Sequence, residues 1–325
     1  MFHARMTATR TSNCHAWAGR VPLLDFTTHF MQNDDLKRQV RDFWDAGSCG
    51  EVYAVGNSRQ AQYEAQRAAR YTLEPYPPGF ARFSDGAGRD VLEIGVGMSA
   101  DHVEWAQSRP RSLTGIDLTA RAIAHTRTRM ANSGHDSGLM VADAENLPFA
   151  SDSFDLVYSW GVLHHSPDTA KAFEEVRRVT RPGGLVRVMI YHRYSVVGFL
   201  LWTRHALLTG HPLLTLSDIY ARHLESPGTK AFTREEARSL CAGLTSVRIH
   251  SCLSFGDLLE GEVGQRHRGS MLRMAKRLWP RWLIRRVIPR HGLLLLIEGV
   301  KPPAAVCQAS PALDPQTDDT RVRRT

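Results

Sequence analysis

The sequence predicts an α/β fold in which a mostly parallel sheet is covered by helices, and three observations predict it. β-like runs alternate with helical patterns through the central part of the chain, the signature of parallel strands joined by helices. The first such run ends in a glycine turn that opens directly into a helical pattern. No internal repeat is visible, and the runs continue across the whole core, so one domain accounts for them better than two.

Residues 1–33 are rich in Thr and Arg and lack the continuous apolar centre of a secretory signal. A transit peptide would share that bias. A disordered or upstream extension is the expected reading, with helical patterning beginning at Asp34. The domain is expected over 34–301, and the unpatterned stretch 302–325 as a disordered tail. Strands are expected at Asp90–Ile94, Ser112–Ile116, Leu139–Val141, Phe154–Trp160, Leu185–Tyr191, Val247–Leu253 and Leu293–Val300. Helices fill the gaps. One begins near Ala100, another follows Thr119 as N-cap, and a third opens at Ser166-Pro167, a cap with proline at the first helical position. Thr233-Arg234-Glu235-Glu236 fits a capping box. Two long connections, 195–230 and 256–291, break the rhythm and are expected as helical insertions that choose the substrate.

The formal net charge of +8 is mild, so its location says more than its size. Between Arg266 and Lys301 ten basic residues face only Glu298. Such a segment suits an anionic substrate, a membrane surface or nucleic acid, and equally a solvated helix face. The five cysteines are odd in number, scattered and without a C-x-x-C pair, against both a disulfide framework and a zinc site. A cytoplasmic setting is expected, with peripheral contact at a membrane surface as an extension of it. No apolar stretch approaches the ~18 residues a spanning helix needs.

The strongest local signal is Val91-Leu92-Glu93-Ile94-Gly95-Val96-Gly97-Met98-Ser99-Ala100. Glycine at the strand end lets the backbone turn sharply and lets a ligand approach the main chain without meeting a Cβ. Gly95-x-Gly97-x-x-Ala100 also satisfies a dinucleotide fingerprint. Asp117, at the end of the second strand, is placed to accept hydrogen bonds from ribose hydroxyls, or to cap the helix after Thr119. Discrimination comes from downstream: Asp143-Ala144-Glu145-Asn146-Leu147-Pro148-Phe149, then Ser151 to Trp160, then Arg181-Pro182-Gly183-Gly184.

With these four ordered motifs the chain resembles class I S-adenosylmethionine-dependent methyltransferases over roughly Asp90–Tyr191. More narrowly it resembles the small-molecule, methyltransferase type 11 branch that includes quinone-biosynthesis enzymes. The resemblance implies a Rossmann-like seven-stranded sheet with an antiparallel last strand, S-adenosylmethionine as cofactor, and transfer of a methyl group to a small-molecule or lipid-like acceptor. It implies that Glu93, Gly95 and Gly97 border the methionine moiety, and that Asp117 holds the ribose with Leu118 against the adenine. Asp143 and Ala144 would meet the adenine amino group, and Ser159 would line the methionine end. Ser99 stands where the family commonly has a third glycine.

Ligands of open α/β sheets gather outside the carboxyl ends of the strands. Trp160, His164 and His165 follow strand four, and Tyr191, His192 and Tyr194 follow strand five, so the two clusters should converge on one crevice. Trp160, Tyr191 and Tyr194 are expected in the substrate pocket. His164, His165 and His192 are the candidates to take a proton from an attacking hydroxyl or amine, a structural role for His165 being equally in keeping with the family. With no helical H-x-x-x-H spacing or acid partner, no metal site is expected. Phe43-Trp44, Tyr53, Tyr63 and Tyr71 precede the sheet and suit either core packing or a cover over the cofactor.

Competing functions are weighed against the same residues. An NAD-dependent oxidoreductase would need a second mononucleotide-binding half, where this chain has Asp143 and the Pro-Gly-Gly turn. A nucleic-acid methyltransferase using the basic C-terminal segment would be expected to show an Asn-Pro-Pro-aromatic motif or an RNA-binding module, and neither is visible. A non-catalytic S-adenosylmethionine-binding protein would keep the cofactor motifs and remains an alternative.

Overall fold

The computed structural model describes residues 26–260, 277 and 279–303. Most of the expected N-terminal extension, nearly all of the expected tail, and the stretch with Arg266, Arg268, Arg273 and Lys276 lie outside the described residues.

Helical structure begins ahead of Asp34, with α1 at Phe26–Ala46. Next come α2 (Arg59–Leu73), whose cap Ser58 accepts the Ala61 N–H, and α3 (Tyr76–Ala81), opened by prolines. The sheet contains β1 (Asp90–Ile94), β2 (Ser112–Asp117), β3 (Gly138–Val141), β4 (Phe154–Trp160), β5 (Thr180–Tyr191), β6 (Thr245–Cys252) and β7 (Leu294–Val300). Between these strands lie α4 (Ala100–Gln107), α5 (Ala120–Asn132), α6 (Thr169–Val179), α7 (Val196–His205), α8 (Leu216–His223), α9 (Arg234–Leu240) and α10 (Arg281–Val287). Strand order is β3-β2-β1-β4-β5-β7-β6. Strands β1 to β5 pair in parallel, and β7 runs antiparallel to both β5 and β6. The seven-stranded Rossmann-like sheet with an antiparallel last strand is therefore as expected.

Alternation along the strands sends side chains to two cores. On one face Leu156, Tyr158 and Trp160 of β4 and Met189 and Tyr191 of β5 pack with Trp105 of α4, Leu201 of α7 and Tyr220 of α8. On the other, Val157, Val188 and Ile190 pack with Phe173 and Val176 of α6 and Ala237 of α9. The order reverses at β1, with β2 on one side and β4 on the other, which opens the ligand crevice at the carboxyl ends of these strands.

Thr119 caps α5 and Thr233 forms the expected capping box of α9. Two local expectations change. The cap of α6 is Asp168, whose carboxylate accepts the Lys171 N–H, while the carbonyls of Ser166 and Pro167 accept from the Lys230 ammonium. Strand β5 begins at Thr180 rather than Leu185, because Arg181-Pro182-Gly183-Gly184 is taken into it through a register shift opposite Phe154 and Leu156. Gly183, with φ +80°, supplies the left-handed residue that such a bulge favours. The first insertion is helical as α7 and α8, and the described part of the second contains α10.

Candidate active site

A cavity of about 660 Å³ lies over the carboxyl ends of β1, β2 and β4, roofed by α1 and α2 and walled by the first insertion. The turn after β1 forms its floor. Gly95 adopts φ +83°, and a Cβ there would come within 2.0 Å of Val162 Cγ2. Gly97, at φ +48°, has no atom within 4 Å of its missing Cβ, which leaves room for a ligand to approach the backbone. Ser99 carries the third turn position in the left-handed region at φ +60°, its hydroxyl donating to the Met98 carbonyl.

Asp117 lines the cavity at the end of β2. Its Oδ1 accepts the Thr119 N–H at 2.9 Å and the Thr119 hydroxyl at 2.8 Å, and Oδ2 accepts the Gly97 N–H at 3.1 Å. Burial raises its pKa above the usual carboxylate value against these bonds. Leu118 and Ala144 also line the cavity. Asp143 accepts from Lys37 of α1 at 2.6 Å, and the same ammonium reaches Glu145 at 2.7 Å, tying the roof helix to the loop after β3.

Glu93 lies deeper. Its carboxyl is 2.9 Å from His102 Nδ1, and His102 Nε2 meets the Ser137 hydroxyl at 3.1 Å. Burial raises the Glu93 pKa well above its usual value and pushes His102 down to about 3, so the two share one proton in a hydrogen bond rather than forming an ion pair. Beside them Asp101 accepts from Arg70 at 3.0 and 2.5 Å, from Tyr71 at 2.9 Å and from Tyr158 at 2.8 Å. Burial alone would raise Asp101, but the Arg70 charge and these donors outweigh it and hold its pKa low.

On the acceptor side Trp160 lines the cavity, its indole N–H donating to Glu74 at 2.8 Å. Tyr191 lines it too, and its hydroxyl donates to Glu225 at 2.9 Å. Of the three histidines only His165 borders the cavity. Its Nδ1 lies 2.8 Å from the Ser226 hydroxyl and 3.2 Å from that of Thr229, and its Nε2 lies 3.4 Å from Glu225. His164 is fully buried behind it, the ring centroid 3.9 Å from that of Tyr191. Burial, then the neighbouring His165, pushes the His164 pKa well down.

Besides His164, three expected residues fall outside the cavity. The Ser159 side chain shares the β4 face of Val157, and its hydroxyl donates to the Ile94 carbonyl at 3.1 Å. His192 follows Tyr191 and so points away, its Nδ1 3.2 Å from the Gly292 carbonyl. Tyr194 is exposed beyond it. The aromatics ahead of the sheet divide: Phe43, Trp44 and Tyr53 line the cavity, Tyr63 is core, and Tyr71 supports Asp101. Lys37, Arg70, Glu74, Asp101 and Glu225 also line the cavity, although no motif announces them. Asp101 alone carried a local signal, as the acid in the first turn after the glycine motif.

The glycine cradle lies at the sheet's switch point with acids at the ends of β2 and β3, the arrangement that the class I methyltransferase resemblance implies. Residues 92–188 match the family described as methyltransferase domain, whose cofactor is S-adenosylmethionine. Among curated relatives, 27-O-demethylrifamycin SV methyltransferase of Amycolatopsis mediterranei is 32% identical over 30% of this chain and 37% of its own length. Fatty-acid O-methyltransferase of Mycolicibacterium smegmatis is 34% identical over 37% of this chain and 43% of its own length. The chain thus matches less than half the length of these relatives. The fold is shared with phosphoethanolamine N-methyltransferase 2 of Haemonchus contortus, at 18% identity and a TM-score of 0.52, over 81% of this chain and 60% of that one. Among the described residues no helix is long and apolar enough to cross a membrane.

Proposed function

We propose that this protein is an S-adenosylmethionine-dependent methyltransferase acting on a small-molecule or lipid-like acceptor, in the general class EC 2.1.1.-. The observation that carries the reading is a single cavity joining the Gly95–Gly97 cradle and Asp117 to an apolar wall of Val197, Leu200, Leu201 and Leu208 from the insertion. A polar cradle beside an apolar wall suits a charged nucleoside cofactor facing a mostly hydrocarbon acceptor. The relatives named for a rifamycin and a fatty acid agree with that chemistry.

The residues fit the cofactor. Gly97 leaves room for the methionine end, Asp117 keeps acceptor capacity toward the cavity for a ribose hydroxyl, and Asp143 stands ready for the adenine amino group. Lys37 on Asp143 closes α1 over that end. When bound, the cofactor supplies an activated methyl group on a sulfonium. The protein's task is alignment and exclusion of water, which α1, α2 and the insertion accomplish from above. His165 is the catalytic histidine candidate that borders the cavity, oriented by Ser226 and Thr229, while His164 and His192 lie behind the wall.

A cytoplasmic protein that touches membranes peripherally is the accompanying proposal. Phe199, Leu208, Leu213, Trp282, Leu283 and Val287 are exposed, with Arg204, Arg285 and Arg286 among them. Apolar residues interspersed with arginines suit an anionic lipid surface. Sedimentation with anionic vesicles should show binding at low salt that weakens at high salt. The acceptor itself is sought by mass spectrometry of cell extracts incubated with the protein and deuterated-methyl S-adenosylmethionine. A product shifted by the mass of a trideuterated methyl supports the reading, and complete absence of such products across extracts overturns it.

A further inference from the structure

The two histidines after β4 leave polar atoms unexplained. Both ring nitrogens of His164 and Nε2 of His165 are buried without a hydrogen-bond partner. Buried polar atoms are nearly always paired, and a set of orphans on adjacent residues asks for a ligand. Glu225, from the segment after α8, brings the acid partner absent from the local sequence. A ring nitrogen of His164, a ring nitrogen of His165 and a carboxylate oxygen of Glu225 all lie within 4.8 Å of one another.

We propose that His164, His165 and Glu225 form a divalent transition-metal site in the acceptor wall of the cavity. Two imidazoles and one carboxylate are the donor set of zinc-class and iron-class ions, whereas magnesium and calcium sites are built from oxygens. Tetrahedral donors at ~2.0–2.2 Å from one ion lie about 3.3–3.6 Å apart, so a pair at the 4.8 Å limit closes by about 1.2–1.5 Å through side-chain rotation. The surroundings resemble the outer shell of such a site. Ser226 and Thr229 hold His165 by Nδ1, turning Nε2 toward Glu225, and the Tyr191 hydroxyl donates to Glu225 at 2.9 Å. His164 closes the site from behind, while His165 and Glu225 border the cavity, so the open coordination positions face the acceptor. This deepens the methyltransferase reading and rests on it: an acceptor oxygen bound there loses its proton more readily than in water.

The test uses full-length protein stripped with a chelator, titrated calorimetrically with zinc chloride and spectroscopically with cobalt(II). About one equivalent should bind, and cobalt(II) should give visible bands of an N/O-ligated ion. Glu225→Gln and His165→Gln should each weaken binding at least tenfold, and Ser226→Ala about 10–100-fold as a loss of second-layer support. His250→Ala, on an exposed strand position, should bind as the wild type does. The thermal midpoint and S-adenosylhomocysteine affinity of each variant are measured on the same samples. Wild-type protein that binds no zinc, or Glu225→Gln and His165→Gln variants that bind it as tightly as wild type, overturns the site. Retained S-adenosylhomocysteine binding then leaves the methyltransferase reading standing, and its loss in the wild type refutes that reading separately.

Discussion

Replacing Asp117 with alanine tests the cofactor site at its most defined point. A carboxylate offers about four acceptor positions. Thr119 fills two on Oδ1, Gly97 fills one on Oδ2 and the Leu118 N–H lies close by, so at most one position remains. Sequence alone suggested that both ribose hydroxyls bind this residue; the structure leaves room for one direct bond. A hydrogen bond to a charged group contributes about 1.5–3 kcal/mol, or roughly a tenfold to somewhat over a hundredfold change in affinity. Calorimetry with S-adenosylhomocysteine reads the affinity without turnover. Asp117→Ala should weaken binding within that range, and Asp117→Asn, which keeps the shape and loses the charge, should weaken it less. The alanine variant should also melt earlier, because the Gly97 and Thr119 donors lose their acceptor. An affinity within about twofold of wild type, far below the change expected for one charged bond, in a variant that remains folded would refute the assignment.

The remaining predictions address the cradle, the buried pair and the roof. Gly95→Ala meets Val162 Cγ2 at 2.0 Å in a left-handed backbone, so overpacking of about 1–3 kcal/mol adds to about 1–2 kcal/mol of backbone cost, read by denaturant unfolding. Gly97→Ala, with open space around it, should cost only the backbone part yet weaken S-adenosylhomocysteine binding more than stability. For Glu93 and His102, the unfolded chain holds one proton between their ordinary values of 4.5 and 6.5, while burial favours the neutral form of both side chains in the folded chain. Below 4.5 the unfolded chain takes a second proton that folded His102 refuses until about 3, so stability falls with pH by about 1.4 kcal/mol per unit over that window. Glu93 works the other way: its raised pKa keeps its proton in the folded chain where the unfolded carboxyl has lost it, so its contribution falls as pH rises above 4.5. The difference in stability between wild type and a Glu93→Gln/His102→Gln double variant should therefore peak between the two values, and a flat difference from acid to neutral pH would exclude the shared proton. Lys37→Met should speed hydrogen exchange across α1 while changing global stability by no more than about 1 kcal/mol, since its ion pairs with Asp143 and Glu145 are partly exposed.

The sequence by itself determined the strands, the carboxyl ends of the parallel ones and the glycine cradle, because each is written in neighbouring residues, though not the early start of β5. Apolar runs of strand length stop at Gly95, Asp117 and Asp143, and Thr119 and Thr233 bond donors only three residues away. Composition could not decide which side of a strand end faces the ligand. A single residue of pleat turns Tyr191 into the cavity and His192 out of it, and places Ser159 with Val157 instead of beside Trp160. Tertiary structure alone decided the partners that converge from far along the chain. Lys37 reaches Asp143 from the roof helix, Arg70 and Tyr71 reach Asp101 from α2, and Glu225 reaches His165 and Tyr191 from an insertion. These side chains have no periodicity or motif of their own. Their meaning comes from burial beside an opposite charge or an open imidazole nitrogen, and burial exists only once the sheet and its covering helices have closed.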